Sequence, residues 1–244
     1  MKKNKIKILS TKALSQETID RASLNDIDIE ELPFITTLPI KNDELKNVLR
    51  GFLQQNITAV FTSKNAVLAF EQIVNAEVPW KIFCIGQSTK KFVVKVFGEE
   101  KIVDTADNAS ELADIILKDG EIKRVIFFCG KIRREELPEK LRSAEIELNE
   151  IVVYETLETP QKISRKHYDG ILFFSPSAVK SFFSLNKLND EIQIFAIGKT
   201  TADAIQKNID GELKIAETPG EENMMDVVIS TFSTTKTVKH AIEE

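Results

Sequence analysis

Cysteine and histidine are scarce: the 244 residues hold two of each. Cys84 and Cys129 sit in the apolar runs KIFCIG and VIFFCG, as buried strand residues do. A disulfide framework or a zinc site needs more ligands at closer spacing. His167 and His240 stand in polar surroundings, so no metal centre is expected. No apolar run approaches the ~20 residues of a membrane span. The start, MKKNKIKIL, is basic but lacks the apolar core of a signal peptide, so a cytoplasmic protein is expected. Positive charge is also short. A net charge of −5 argues against a general nucleic-acid binder, though not against local basic pockets for an acidic small molecule. Gly86 and Gly198 stand in IGQST and IGKTT, which lack the glycine-rich run of a phosphate loop. There is no Ser-His-Asp set, no HExxH and no paired carboxylates. Any chemistry must rest on positioning and a single acid.

What the chain does hold is one stretch twice. Residues 61–89 and 173–201 align without a gap at an offset of 112. Phe61/Phe173, Ser63/Ser175, Ala66/Ala178, Phe70/Phe182, Gly86/Gly198 and Thr89/Thr201 are identical pairs. Further on, Asp114 falls on Asp226. Short apolar runs alternate with amphipathic ones, which predicts parallel strands wound with helices on both faces. Strands are expected at 6–10, 58–63, 81–86, 101–104, 124–129, 170–174, 193–198 and 213–216. Helices are expected at 15–24, 43–55, 63–74, 89–97, 110–118, 134–142, from 175, from 200 and over 222–232, with a fraying tail.

Residues 32–40 are punctuated by Pro33 and Pro39, which excludes a central strand. They read as a connector paired with 148–156. The predicted organisation is therefore two similar doubly wound, flavodoxin-like α/β domains joined by a two-stranded β-ladder. Domain one is discontinuous, 1–31 plus 157–244. Domain two, 41–147, is inserted between the connecting strands 32–40 and 148–156.

In open parallel sheets, ligands bind beyond the carboxyl ends of strands. Those ends carry Lys12, Thr62, Ser63, Thr89, Lys131, Arg133, Arg134, Ser175, Ser177, Thr200 and Thr201. Hydroxyls and helix-start N–H groups suit anions, although each hydroxyl also reads as a simple helix cap. Arg133 and Arg134 also read as a solvated helix start. Tyr154, one of two tyrosines, lies on the returning connector, where it can face the gap between the domains and donate a proton.

At these motifs the chain resembles uroporphyrinogen-III synthases. The matching stretches are FTSKNAV (61–67), IFCIGQST (82–89), IFFCGKIRREELP (126–138), VVYET (152–156), FFSPSAV (173–179) and AIGKTTA (196–202). The resemblance implies cyclisation of hydroxymethylbilane, an acidic linear tetrapyrrole with eight carboxylates, to uroporphyrinogen III. Ring D is inverted and water is lost, without metal or cofactor. It implies that Tyr154 protonates the departing hydroxyl, and that Thr62, Ser63, Thr89, Ser175, Ser177, Thr200 and Thr201 contact substrate. Lys12 departs from the arginine common at its position, and a lysine cannot grip a carboxylate in bidentate fashion. A monomer that binds neither nucleic acid nor membrane is expected. The competing reading is a non-catalytic two-domain binding protein for small anions.

Overall fold

The computed structural model describes residues 5–74, 76–163, 168–188 and 191–242, with side chains except at 87 and 234–242. His167 and the side chain of His240 lie outside this set. The chain opens with β1 (Ile6–Ser10), α1 (Gln16–Leu24) and β2 (Ile27–Glu31), and β3 (Ile35–Pro39) leads onward. Next come α2 (Asp43–Phe52), β4 (Thr58–Phe61), α3 (Lys64–Ile73), β5 (Lys81–Ile85) and α4 (Gln87–Phe97). They are followed by β6 (Ile102–Ala106), α5 (Ala109–Lys118), β7 (Arg124–Gly130) and α6 (Glu136–Ser143). β8 (Glu147–Glu158) returns the chain to β9 (Gly170–Phe173), α7 (Pro176–Phe183) and β10 (Gln193–Ala196). The last elements are α8 (Lys199–Gln206), β11 (Lys214–Ile215) and α9 (Glu221–Ile242).

Two compact units result, Met1–Thr36 with Glu158–Glu244, and Thr37–Leu157. The first holds a five-stranded sheet in the order β11-β10-β9-β1-β2, with parallel pairings throughout. The second holds a six-stranded sheet, β3-β8-β7-β4-β5-β6, in which β8 to β6 pair in parallel. With β1 and β2 set against β7 and β8, the two parallel orders coincide. The repeat seen in sequence is thus a repeat of topology. β3 and β8 carry the chain from one unit to the other. The Ile40 N–H donates to Val153 O at 2.9 Å, and the Thr159 N–H donates to Phe34 O at 2.9 Å. Rising numbers on one strand meet falling numbers on the other, so this ladder is antiparallel.

Each parallel sheet is covered on both faces, as βαβ crossovers require. In the second unit, α2, α3 and α4 cover one face through Leu49, Val67, Phe70 and Val93. α5 and α6 cover the other through Leu112, Ile116, Leu137 and Leu141. In the first unit, α7 and α8 bury Val179, Phe182 and Ile205, while α1 and α9 bury Ala22, Met225 and Val228 on the opposite side. The second unit's first face is built on aromatic rings. Phe128 stacks on Phe61 at 5.0 Å and on Trp80 at 5.2 Å between centroids. Such pairs add about 0.5–1.5 kcal/mol each beyond the area they bury. The Trp80 indole N–H is satisfied by Phe52 O at 3.0 Å.

Five elements differ from the sequence expectation. β2 has no counterpart in it, because IDIEE reads as polar. It lies at a sheet edge, where acidic residues discourage further pairing. β8 is longer than a connector and doubles as a strand of the second sheet beside β7. α4 and α8 start at Gly86 and Gly198, with no side-chain cap, rather than on Ser88, Thr89 or Thr200. α9 continues to Ile242, past the expected end at 232.

Candidate active site

A doubly wound sheet opens a crevice where strand order reverses. In the second unit that point lies between β4 and β7, and in the first between β9 and β1. Ser63 follows β4 and caps α3, accepting from the Asn65 N–H at 3.1 Å. Ser175 follows β9 and caps α7, accepting from the Ala178 N–H at 3.2 Å. Pro176 fills the first helical position, where its missing N–H costs nothing.

Tyr154 reaches the second unit's crevice through a break in register. β7 and β8 pair Cys129 with Val152, then Gly130 with Tyr154, which bulges β8 at Val153. Side chains in a strand alternate between faces. Accordingly Val152 packs on the α5/α6 side and Val153 on the α2/α3/α4 side. The bulge resets the alternation, so Tyr154 joins Val153 on the α3 face. Its ring then crosses the end of β7 at Gly130. A Cβ there would stand 2.6 Å from Tyr154 Cζ and 2.9 Å from the hydroxyl oxygen. Beyond it, the phenol donates to Ser63 Oγ at 3.3 Å.

The phenol is held protonated. Burial pushes it above the ordinary tyrosine range, and the Cys129 sulfur adds to this, while the Ser63 hydroxyl pulls the other way. The Cys129 thiol is itself pushed up to about 12, chiefly by burial, and Cys84 to about 11 for the same reason. Both are neutral hydrophobes in their strands.

The glycines of the repeated IG pair open α4 and α8. Gly86 has φ +67°, which a side chain would resist. Neither start has a side-chain cap, and in α8 the Thr201 N–H turns back to Gly198 O at 3.1 Å. In these turns Thr89 and Thr201 are buried, 4% and 3% exposed, while Thr200 is exposed. Thr62 and Ser177 are half-buried.

The basic candidates divide. Arg133 Nε binds Glu150, and its Nη2 lies 3.4 Å from Glu135. Arg142 reaches the same two acids. The hydrogen bond to Glu150 raises the Arg133 guanidinium further. Its charge is thus taken up by a brace between the β7–α6 loop and β8. Lys131 is held loosely: its side chain is 70% exposed, with Nζ in an ion pair 3.6 Å from Glu155. Arg134 is exposed. Sequence reasoning passed over Gly130, Glu150 and Glu135. The glycine ending an apolar run and, for Glu135, the acids following RR were the available signals; Glu150, 17 positions from Arg133, had none.

In the first unit, Thr11 directly follows β1, and its hydroxyl donates to Leu172 O at 2.8 Å. Lys12 Nζ pairs with Glu221 and lies 4.7 Å from the centre of the Phe174 ring. Glu221 also accepts from the Ser15 N–H at 2.9 Å and from Thr18 Oγ1 at 3.4 Å. Burial pushes the Glu221 carboxyl up, but Lys12 and Ser15 together outweigh it and hold it below the usual range. A lowered folded pKa gives stability above the unfolded pKa, lost as pH falls through the folded one. Glu221→Gln is expected to remove that part of the acid sensitivity of folding. Denaturant midpoints measured from neutral to acidic pH check this; an unchanged slope contradicts it.

Two cavities in the second unit, about 390 and 450 Å³, lie elsewhere, one beside β6 and α5 and one at the amino ends of β4, β5 and β7. Among the described residues, no His, Cys, Asp or Glu cluster suits a metal, and no helix is long and apolar enough to cross a membrane.

A family profile described as uroporphyrinogen-III synthase HemD matches residues 17–226. The chain belongs to the uroporphyrinogen-III synthase family. The match runs from α1 into α9, so it contains Tyr154, Ser63, Gly130 and both IG motifs, while Lys12 falls outside it. Uroporphyrinogen-III synthase of Saccharomyces cerevisiae is 27% identical over 172 residues, 60% of this chain. That of Chlorobaculum parvum is 29% identical over 167 residues, again 60% of this chain. The chain spans 62% of the yeast relative's length and 68% of the bacterial one's. Two solved structures have this fold. Uroporphyrinogen-III synthetase of Helicobacter pylori has a TM-score of 0.63 at 19% identity, covering 93% of this chain and 99% of that one. A mutant uroporphyrinogen III synthase of Thermus thermophilus has a TM-score of 0.59 at 14% identity, covering 94% and 99%.

Proposed function

We propose that this chain converts hydroxymethylbilane to uroporphyrinogen III, with inversion of ring D and loss of water. The family match over residues 17–226 carries the reading. A protonated phenol at a strand-order reversal supports its chemistry. The substrate's hydroxymethyl C–O bond breaks as Tyr154 gives its proton to the departing oxygen, which leaves as water. Ring D attacks the resulting cation through its substituted carbon and forms a spiro-pyrrolenine. That intermediate opens and closes again at the free ring D carbon, whose proton restores the phenol. One substrate gives one product and one water.

The substrate's carboxylates call for distributed donors. Thr62, Ser63, Thr89, Ser175, Ser177, Thr200 and Thr201, with the N–H groups opening α4 and α8, are the proposed partners. Lys131 and Arg134 supply charge, and Lys12 does so once it exchanges Glu221 for a substrate carboxylate. Arg133 acts through the loop it braces. The protein is proposed to work as a cytoplasmic monomer without metal or cofactor.

Incubation with hydroxymethylbilane and separation of the product isomers tests this. The type III isomer is expected to dominate. A protein that only binds small anions would leave the spontaneous type I isomer alone, and that result would reject the reading.

A further inference from the structure

Two hydrogen bonds meet on one oxygen. Ser63 Oγ accepts from the Asn65 N–H at 3.1 Å and from the Tyr154 phenol at 3.3 Å. A serine hydroxyl has two acceptor sites and one proton. Both acceptor sites are taken, so the Ser63 proton is left over. Its twin is an internal comparison. Ser175, at the same place in the other copy, caps the third helical N–H, that of Ala178. Ser63 caps the second, that of Asn65.

We propose that Ser63 is the positioning residue for Tyr154: it aims the phenol and then donates its own hydroxyl hydrogen to the phenolate left when the proton departs. The inference rests on Tyr154 being the acid of the proposed reaction. The balance is simple. The phenol O–H bond breaks and its proton leaves with the substrate's oxygen as water. The Ser63 O–H bond stays intact and only turns, so that its hydrogen points at the phenolate. The helix cap holds the serine oxygen still meanwhile. The other titratable group acting on the phenol, Cys129, is neutral and gives the phenolate no countercharge.

The chain has two tyrosines, so Tyr168→Phe leaves Tyr154 as the only source of a tyrosinate signal. In that background Ser63→Gly removes the hydroxyl while costing the helix cap only a few tenths of a kcal/mol. Ser63→Thr keeps both functions. In the glycine variant the tyrosinate midpoint is expected to rise by about one unit and kcat to fall about tenfold. Any rise in KM should be smaller than the fall in kcat, and the threonine variant should recover both the midpoint and kcat. An unchanged midpoint and kcat in the glycine variant overturn the inference. If Tyr154→Phe itself keeps full turnover, the acid assignment falls and takes the inference with it. If Tyr154→Phe is inactive while Ser63→Gly behaves as wild type, the inference alone falls.

Discussion

Tyr154→Phe is expected to lower turnover of hydroxymethylbilane to uroporphyrinogen III by about 10²–10⁴-fold, the usual worth of a positioned general acid. The substitution removes one oxygen and keeps the ring. That ring packs in the core with Phe61, Phe128 and Val153, so the fold should lose only the bond to Ser63, about 1 kcal/mol. A melting temperature close to wild type beside a collapsed kcat separates chemistry from stability. The pH profile gives a second readout. The phenol's pKa is raised by burial, so its acid form persists beyond the ordinary tyrosine range. Activity limited by this group should hold through mildly alkaline pH and fall only above that range. Near wild-type turnover with retained type III product would remove Tyr154 from the acid role.

Gly130→Ala is expected to cost about 10²-fold in turnover, because misplacing a reacting group by about 1 Å does so. The added methyl would stand 2.6 Å from Tyr154 Cζ and 2.8 Å from Cε2. Carbon atoms rest at about 3.5–4.0 Å, so the ring must swing off the end of β7. The backbone is no obstacle, since Gly130 is not among the positive-φ glycines. Overpacking adds about 1–3 kcal/mol of instability. A double-mutant cycle isolates the cause. In a Tyr154→Ala background the glycine substitution should cost little further turnover, because the ring it displaces is gone. Wild-type kcat and isomer ratio in Gly130→Ala would show that the ring needs no such passage.

The sequence alone determined the α/β alternation, the gapless duplication and both serine caps, because these depend on neighbours three or four positions away. It also singled out Tyr154, by rarity and by motif. Tertiary structure decided what these residues meet. Strand alternation by itself puts Tyr154 on the face of Val152, away from α3. The bulge at Val153 reverses that, and its cause is the pairing of β8 with β7, which local sequence does not encode. Arg133 read as a free cation until Glu150, 17 positions away, closed on it. Lys12 meets Glu221 across 209 positions. Helix and strand periods are local and survive in the sequence. The partner of a charge and the parity of a strand end depend on which distant segments pack together, and only the folded chain supplies them.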